Sequence, residues 1–359
     1  MSGRTGPLLE KLRGSLARQR IDGLLVMNIT NVRYLTGFSG SSGFILITKK
    51  EQIFATDFRY REQSGKEIGG YEVVIERGER AGLVRQLCKR KGIKQLGFES
   101  SVSYQFYRSL LKKGLKLRAV SRLVEKLREV KEAEEILNIR TALKRAEAAF
   151  LAVKPRMRAG VRERAIALRL EEQLKKRGSR RIPFDIIVAS GPNSALPHAK
   201  PTDKKLDPGD LVIIDWGAEA DGYFSDLTRT LLLKGHNPNR SKQREIYAIV
   251  LEANKRAVAA ASPGTGAKTV DSAARTYIKK SGYGEFFGHG TGHGVGLEIH
   301  EAPRIAWNSR DRVRKNMVFT IEPGIYIPGL GGVRIEDMIR VGDEQAEVLT
   351  SLNKELEVI

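Results

Sequence analysis

The sequence predicts an α/β domain followed by an α+β domain with an internal pseudo-twofold repeat of structure, and three observations carry that expectation. The 359 residues exceed the roughly 250 to 300 that one hydrophobic core usually serves. Residues 1–126 alternate apolar strand-like runs with helical stretches, the order from which an α/β layer is built. In residues 127–359 the succession helix, helix, hairpin occurs twice, with two acidic residues on each hairpin and no tandem sequence identity. That is a duplication of structure, not a repeat array.

In the first domain, Ile21 to Met27, Gly43 to Thr48 and Gln52 to Thr56 read as strands, and Pro7 to Arg20 and Gly82 to Arg90 as helices. Val120 to Val153 carries Leu123, Leu127, Ile136, Ile139, Leu143, Ala146 and Phe150, mostly three or four apart among Lys, Arg and Glu. This spacing predicts an amphipathic helical stretch with the domain boundary near its start. In the second domain Glu132 to Val153 and Val161 to Lys176 are predicted helices. Strands follow at Asp185 to Ala189, Leu211 to Gly217 and Tyr223 to Leu233, the last two joined at Glu219-Ala220-Asp221-Gly222. Beyond the turn-rich GHNPNR segment come helices Ser241 to Ala261 and Val270 to Lys280, separated by Pro263-Gly264. Strands Val318 to Ile327 and Gly332 to Val341, joined at Pro328-Gly329-Leu330-Gly331, close the chain.

Composition narrows the class. With 41% hydrophobic and 29% charged residues the chain reads as a soluble globular protein, and no apolar run approaches the roughly 20 residues of a membrane span. The N-terminus lacks an apolar h-region, so no secretory signal is expected. Cys88 is alone, which excludes an intrachain disulfide and suits a reducing cytoplasm. The balance of 63 basic and 42 acidic residues, formally +21, invites a nucleic-acid partner. However, Arg156, Arg158, Arg162, Arg164, Lys175, Lys176, Arg177, Arg180 and Arg181 spread over predicted helix faces without interleaved aromatics. A solvated basic surface is the expectation, with neither nucleic acid nor membrane as partner.

Four of the five histidines, His198, His289, His293 and His300, accompany Asp215, Asp226, Glu322 and Glu336. Hairpin spacing places Asp215 and Asp226 opposite or one diagonal step apart, with Cβ atoms roughly 4.5 to 8 Å apart. Glu322 and Glu336 are disposed equally about Gly329. Any one strand carboxylate is ordinarily solvent-facing, but two matched pairs inside apolar strands would repel unless a cation intervened. Between the pairs runs Phe287 to Glu301, rich in Gly and His but without the Gly-x-Gly-x-x-Gly register of a dinucleotide loop. A glycine ribbon lets backbone approach a crowded site, and imidazoles supply neutral metal ligands and proton carriers. The pattern points to a two-metal hydrolase.

Asp215 in IDWGA, Asp226 in SDLTRT, His293 in GHGVGLEIHE, Glu322 in FTIEPGIY and Glu336 in GVRIED resemble the ligand signature of the pita-bread metallopeptidases, across residues 127–359. Residues 1–126, with NVRYLTGFSGSSGFILI and Asp57-Phe58-Arg59-Tyr60, resemble the creatinase-type domain of proline dipeptidases and aminopeptidases P. The resemblance implies an α/β creatinase-like domain before an α+β pita-bread catalytic domain, two divalent ions, and a homodimer. Manganese (Mn2+) or cobalt (Co2+) is implied, and the oxygen-rich set also suits Zn2+ or Fe2+. Asp226 and Glu336 would bridge the ions, Asp215 completing one site, His293 and Glu322 the other. Such ions, roughly 3.5 to 4 Å apart, lower the pKa of water and polarise the scissile carbonyl.

Glu322 is the implied acceptor of the water proton. His198 and His300 would contact the substrate and stabilise the oxyanion, or carry a proton to the departing proline nitrogen. Arg334, two residues before Glu336 on the same strand face, is expected to orient the site or bind substrate, a structural ion pair weighing equally. His289 is expected in the substrate pocket. Arg304 matches a position that in proline dipeptidases can anchor a C-terminal carboxylate, which favours proline-containing dipeptides over the longer peptides of an aminopeptidase P. Methionine aminopeptidases share the ligand set, but residues 1–126 and the contexts of His198 and Arg334 oppose them. Creatinase works without metal, and a metal-free binding protein on the same scaffold is the reading from another class. The intact ligand set opposes both.

Overall fold

The computed structural model describes residues 2–359, with side chains from Gly6 onward. It divides into two compact units, Met1–Arg128 and Glu129–Ile359.

In chain order the first unit contains α1 (Ser2–Arg18), β1 (Gly23–Val26), α2 (Ile29–Thr36), β2 (Phe44–Thr48), β3 (Gln52–Thr56), α3 (Arg61–Glu67) and β4 (Glu72–Ile75). It continues with α4 (Arg80–Arg90), β5 (Gln95–Glu99), α5 (Tyr104–Leu110), β6 (Lys116–Val120) and the single turn α6 (Glu125–Arg128). One sheet of order β4-β3-β2-β1-β5-β6 spans it. β1, β5 and β6 run parallel, and β2 is antiparallel to both neighbours. β1 and β2 are buried along their whole length, so they read as continuous apolar runs. Leu25, Phe44, Leu46, Ile53 and Leu96 pack with Val84 and Leu87 of α4. The helical stretch expected over Val120 to Val153 is interrupted: Val120 ends β6, and a new helix starts at Ala133. Its start is set by a reciprocal cap, in which Glu132 accepts from the helix backbone and Glu135 accepts from the Glu132 N–H.

The second unit opens with α7 (Ala133–Val153) and α8 (Glu163–Lys176), then β7 (Ile187–Ser190), β8 (Leu211–Trp216), β9 (Glu219–Ala220), β10 (Tyr223–Phe224) and β11 (Leu227–Leu232). The second half has α9 (Arg240–Ala260), α10 (Ala267–Lys280), β12 (Gly292–Gly294), β13 (Glu301–Ile305), β14 (Val318–Ile321), β15 (Gly324–Ile327), β16 (Gly331–Arg334), β17 (Asp337–Val341) and β18 (Ala346–Val348). Helix pair followed by hairpin therefore recurs, as the pattern predicted. Three strands, β11-β8-β7, form the first sheet and β13-β12-β14-β17-β18 the second, with β10-β9 and β15-β16 as short ribbons.

α7 fastens to its sheet through Trp216, whose Nε1 donates to the Ala146 carbonyl at 2.9 Å and whose ring stacks on Phe150 at 4.6 Å. In the other half, Ile246, Val250, Ala257, Val270, Ala274 and Ile278 of α9 and α10 bury against Phe319, Ile321, Ile335 and Ile339. The halves join where the Glu336 N–H donates to the Thr228 carbonyl at 3.2 Å.

The hairpins differ from the sequence expectation in one consequential way: three of their four predicted strands are broken, only Leu211 to Gly217 staying whole. Tyr223 to Leu233 is two strands interrupted at Ser225-Asp226, Val318 to Ile327 is interrupted at Glu322-Pro323, and Gly332 to Val341 at Ile335-Glu336. The apolar alternation persists across each break, which hides it from a periodicity argument.

Candidate metal centre

Three of the four acidic residues, Asp226, Glu322 and Glu336, sit at the strand breaks. Asp215, on β8, pairs with Thr228 of β11, which puts Asp226 a diagonal step away, just before β11. The first hairpin turns at Asp221 and Gly222, both with positive φ, the backbone of a tight two-residue turn. In the second hairpin, Ile321 lies opposite Asp337 and Gly324 opposite Arg334. One register thus runs through the break and sets Glu322 against Glu336. Pro323 has no N–H to give the ladder, a local reason for the interruption. His293 comes from β12, where a Cβ on Gly292 would collide with the Thr320 carbonyl. Only glycine permits that approach.

The side chains converge. Asp226, His293 and Glu336 offer ligand atoms all within 4.8 Å of one another, a group able to hold a metal ion. His293 Nε2 is 3.5 Å from Asp226 Oδ2 and 3.5 Å from Glu322 Oε1. Asp215 Oδ2 accepts from Arg334 Nη2 at 2.7 Å, while its Oδ1 is buried with no hydrogen-bond partner. All four acids and His293 line one cavity of about 620 Å³, together with His198, His289, His300, Arg304 and Arg334. Among the described residues no helix is long and apolar enough to cross a membrane.

Burial and mutual repulsion set the proton affinity of the cluster. Burial, then the charges of Asp215 and Glu322, push the Asp226 carboxyl well above its usual range. Burial, then Asp226 and Glu322, do the same to Glu336, and burial raises Glu322. Arg334 is the guanidinium that offsets them. Burial lowers the His293 pKa, which favours the neutral imidazole. Its Nδ1 faces the Gly294 carbonyl at 3.2 Å, an atom that can only accept, so Nδ1 carries the proton. The lone pair of Nε2 then points toward two carboxylates, an arrangement that calls for a cation between them. Buried acids with raised proton affinity, an orphaned carboxylate oxygen and a neutral imidazole together fit hard divalent ions.

The remaining predicted residues take distinct places. In the fold, Arg334 spends its donors on protein atoms: Thr228 Oγ1 at 3.1 Å, the Tyr326 hydroxyl at 2.9 Å and the Pro197 carbonyl at 3.3 Å, besides Asp215. These contacts favour the orienting alternative over substrate binding. His289 donates from Nδ1 to the Gly290 carbonyl at 2.8 Å and accepts at Nε2 from Tyr326 at 2.9 Å, and burial lowers its pKa. The His300 ring lies 4.3 Å from that of His293. Burial, then His293, lowers His300 to about 4. His198 is an exposed residue of the cavity lining, and exposed Arg304 sits on β13 opposite His293.

Sequence reasoning missed three groups. Thr228 donates to Glu336 Oε2 at 2.7 Å, Thr320 Oγ1 lies 3.3 Å from Glu322 Oε1, and Tyr326 links Arg334 to His289. Their signal was a spacing of two or four residues from an acid on the same strand run.

A duplicated helix–hairpin unit whose two hairpins bring four acids and an imidazole into one cavity defines a metal-dependent hydrolase. Residues 138–343 match the model of metallopeptidase family M24, and residues 9–130 that of the creatinase/prolidase N-terminal domain. The chain belongs to metallopeptidase family M24, with the pita-bread fold in its second unit. It is 40% identical to a Xaa-Pro dipeptidase of Pyrococcus horikoshii, over 97% of this chain and 98% of that one. The structure is similar to a Xaa-Pro dipeptidase from Bacillus anthracis, with TM-score 0.95, 43% identity and coverage of 99% and 100%. It is also similar to an X-Pro aminopeptidase from Thermotoga maritima, with TM-score 0.88, 37% identity and coverage of 98% and 99%.

Proposed function

We infer that this hydrolase cuts the peptide bond between an N-terminal residue and a following proline, using two divalent ions and favouring Xaa-Pro dipeptides. The observation that carries the reading is the one cavity lined by four carboxylates and His293, whose Nε2 lies 3.5 Å from Asp226 and Glu322, with Asp215 Oδ1 left without a partner. Asp226 and Glu336 would be shared between the ions, Asp215 would serve one, and His293 and Glu322 the other. Mn2+ or Co2+ are the ions assigned. When bound they polarise the scissile carbonyl and make water a stronger acid.

The protein's own groups do the rest. Arg334 holds Asp215, and the Thr228 hydroxyl holds Glu336. The Gly294 carbonyl keeps the His293 proton on Nδ1 and its Nε2 free. Glu322, whose proton affinity burial has raised, takes the water proton on a carboxylate oxygen. That proton then goes to the departing proline nitrogen, which needs it because a tertiary amide leaves poorly as an anion; His300 and His198 either relay it or stabilise the oxyanion. His289, held by Tyr326 and Gly290, shapes the pocket.

The lean toward dipeptides comes from Arg304. It is exposed, lines the cavity, and makes no ion pair among the described residues, so it is available to a C-terminal carboxylate. The likeness to an X-Pro aminopeptidase favours the second reading, cleavage of longer peptides. Residues 1–126 are assigned as the creatinase-like domain and 127–359 as the catalytic domain of a cytoplasmic homodimer. The test strips the enzyme with chelator, reloads it with Mn2+ or Co2+, and compares initial rates on an Xaa-Pro dipeptide and an Xaa-Pro-Yaa tripeptide. Rates confined to the dipeptide support the first reading and robust tripeptide cleavage the second, whereas full activity in chelator overturns both.

A further inference from the structure

The loop that delivers His289 and His293 contains Gly288, Gly290 and Gly292, and between Phe287 and Thr291 it belongs to no helix or strand. Such a segment has more conformational freedom than almost any other and would not by itself hold two imidazoles in place. Its order comes from two residues one turn apart on α10, Asp271 and Arg275. Arg275 donates from Nη1 to the Phe287 carbonyl at 3.0 Å and from Nη2 to the His289 carbonyl at 2.6 Å. The same guanidinium grips Asp271 through Nε and Nη2, both at 2.8 Å. Asp271, fully buried, accepts in turn from the Thr291 N–H at 3.2 Å and the Thr291 hydroxyl at 2.8 Å.

The clamp reaches further than the loop. The Thr291 carbonyl accepts the Glu322 N–H at 2.8 Å, so the strand break carrying Glu322 hangs from the residue that Asp271 holds. Arg275 itself is covered by aromatic rings, 4.3 Å from the Phe287 centroid and 4.7 Å from that of Trp307. The cover screens its bonds from water.

We propose that Asp271 and Arg275 are positioning residues that set the metal affinity and geometry of the centre by fixing the His289–His293 loop and the Glu322 backbone. Neither side chain lines the cavity that the acids share. A planar fork is required, because one group must meet two carbonyls and a carboxylate together. Lysine keeps the charge but cannot make that set of contacts.

The inference rests on the metal-centre reading above, and its test uses the full chain titrated with Co2+ alone, read by the visible absorption of the bound ion. Arg275→Lys should bind Co2+ about 10- to 100-fold more weakly, the range for lost outer partners of metal ligands, with an altered band shape and an unchanged far-UV circular dichroism spectrum. Trp307→Leu, at an exposed site, should weaken binding in the same direction by a few-fold. Parent-like affinity and band shape in a folded Arg275→Lys protein overturn the clamp and leave the metal reading intact. A parent that binds no Co2+ overturns the metal reading and the clamp with it. If Arg275→Lys does not fold, the Trp307→Leu titration decides: parent-like binding there overturns the clamp.

Discussion

Replacing Asp226 with Asn should make the metal-free protein more stable at neutral pH, although it removes a metal ligand. The ligand atoms of Asp226, His293 and Glu336 lie within 4.8 Å of one another. At such a separation and an effective dielectric constant of about 20, two carboxylates repel by roughly 3.5 kcal/mol. The folded-state pKa values of Asp226 and Glu336 are raised by burial and by neighbouring acids. A carboxyl raised on folding stabilises the protein fully below its unfolded pKa, near 4, and that stability is lost as pH rises through the raised value. The parent in excess chelator should therefore weaken between pH 5 and pH 8 more than Asp226→Asn does.

At roughly 2 to 4 °C per kcal/mol for a unit of this size, complete relief of the repulsion would raise the melting temperature of the variant by about 7 to 14 °C at pH 8. Retention of a proton within the parent's cluster would reduce that difference. Scanning calorimetry in chelator at pH 5, 6.5 and 8 measures it. In saturating Mn2+ the order should reverse, because binding at 1,000 times Kd adds about 4 kcal/mol to the parent. A variant that melts below the parent in chelator at pH 8 refutes the argument that uncompensated negative charge is stored at this site.

His300 should titrate near pH 4 in the metal-free protein, held there by burial and then by His293. Its folded pKa lies below the unfolded value of about 6.5, so the neutral imidazole supports folding above pH 6.5 and that support fades as pH falls from 6.5 toward 4. Proton NMR of the imidazole resonances tests this, and a midpoint at or above 6.5 contradicts it. Phe150→Ala should cost about 3 to 5 kcal/mol in urea unfolding, since the ring is buried and stacked on Trp216 at 4.6 Å. A loss below about 1 kcal/mol would show that α7 is not anchored there.

Much of the second unit was legible in the sequence because its helices carry strong local signals. The predicted Ser241 to Ala261 and the observed Arg240–Ala260 differ by one residue at each end, since apolar spacing of three and four residues is a property of the segment itself. Strand Gln52–Thr56 was found as predicted. Strands β4, β5 and β6, which mix charged residues or glycine with apolar ones, and the short helices α2, α3 and α5 were not read, because such runs carry too little periodicity to stand out. Nor did the continuous helical reading across Val120 to Val153 survive. There an acidic cap at Glu132 and Glu135 starts a new helix within a stretch that stays amphipathic.

The sequence by itself determined which residue types are present for the chemistry and in what order, with two acids on each hairpin and histidines on a glycine ribbon between them. Local spacing was enough for that, because a hairpin register follows from its turn. Only the tertiary structure decided that both hairpins empty their acids into one cavity, and that Arg334 turns its guanidinium on Asp215. It also decided that Thr228 reaches Glu336 from 108 positions away. Those contacts join segments far apart along the chain, so their geometry follows from how the two halves pack rather than from any local preference.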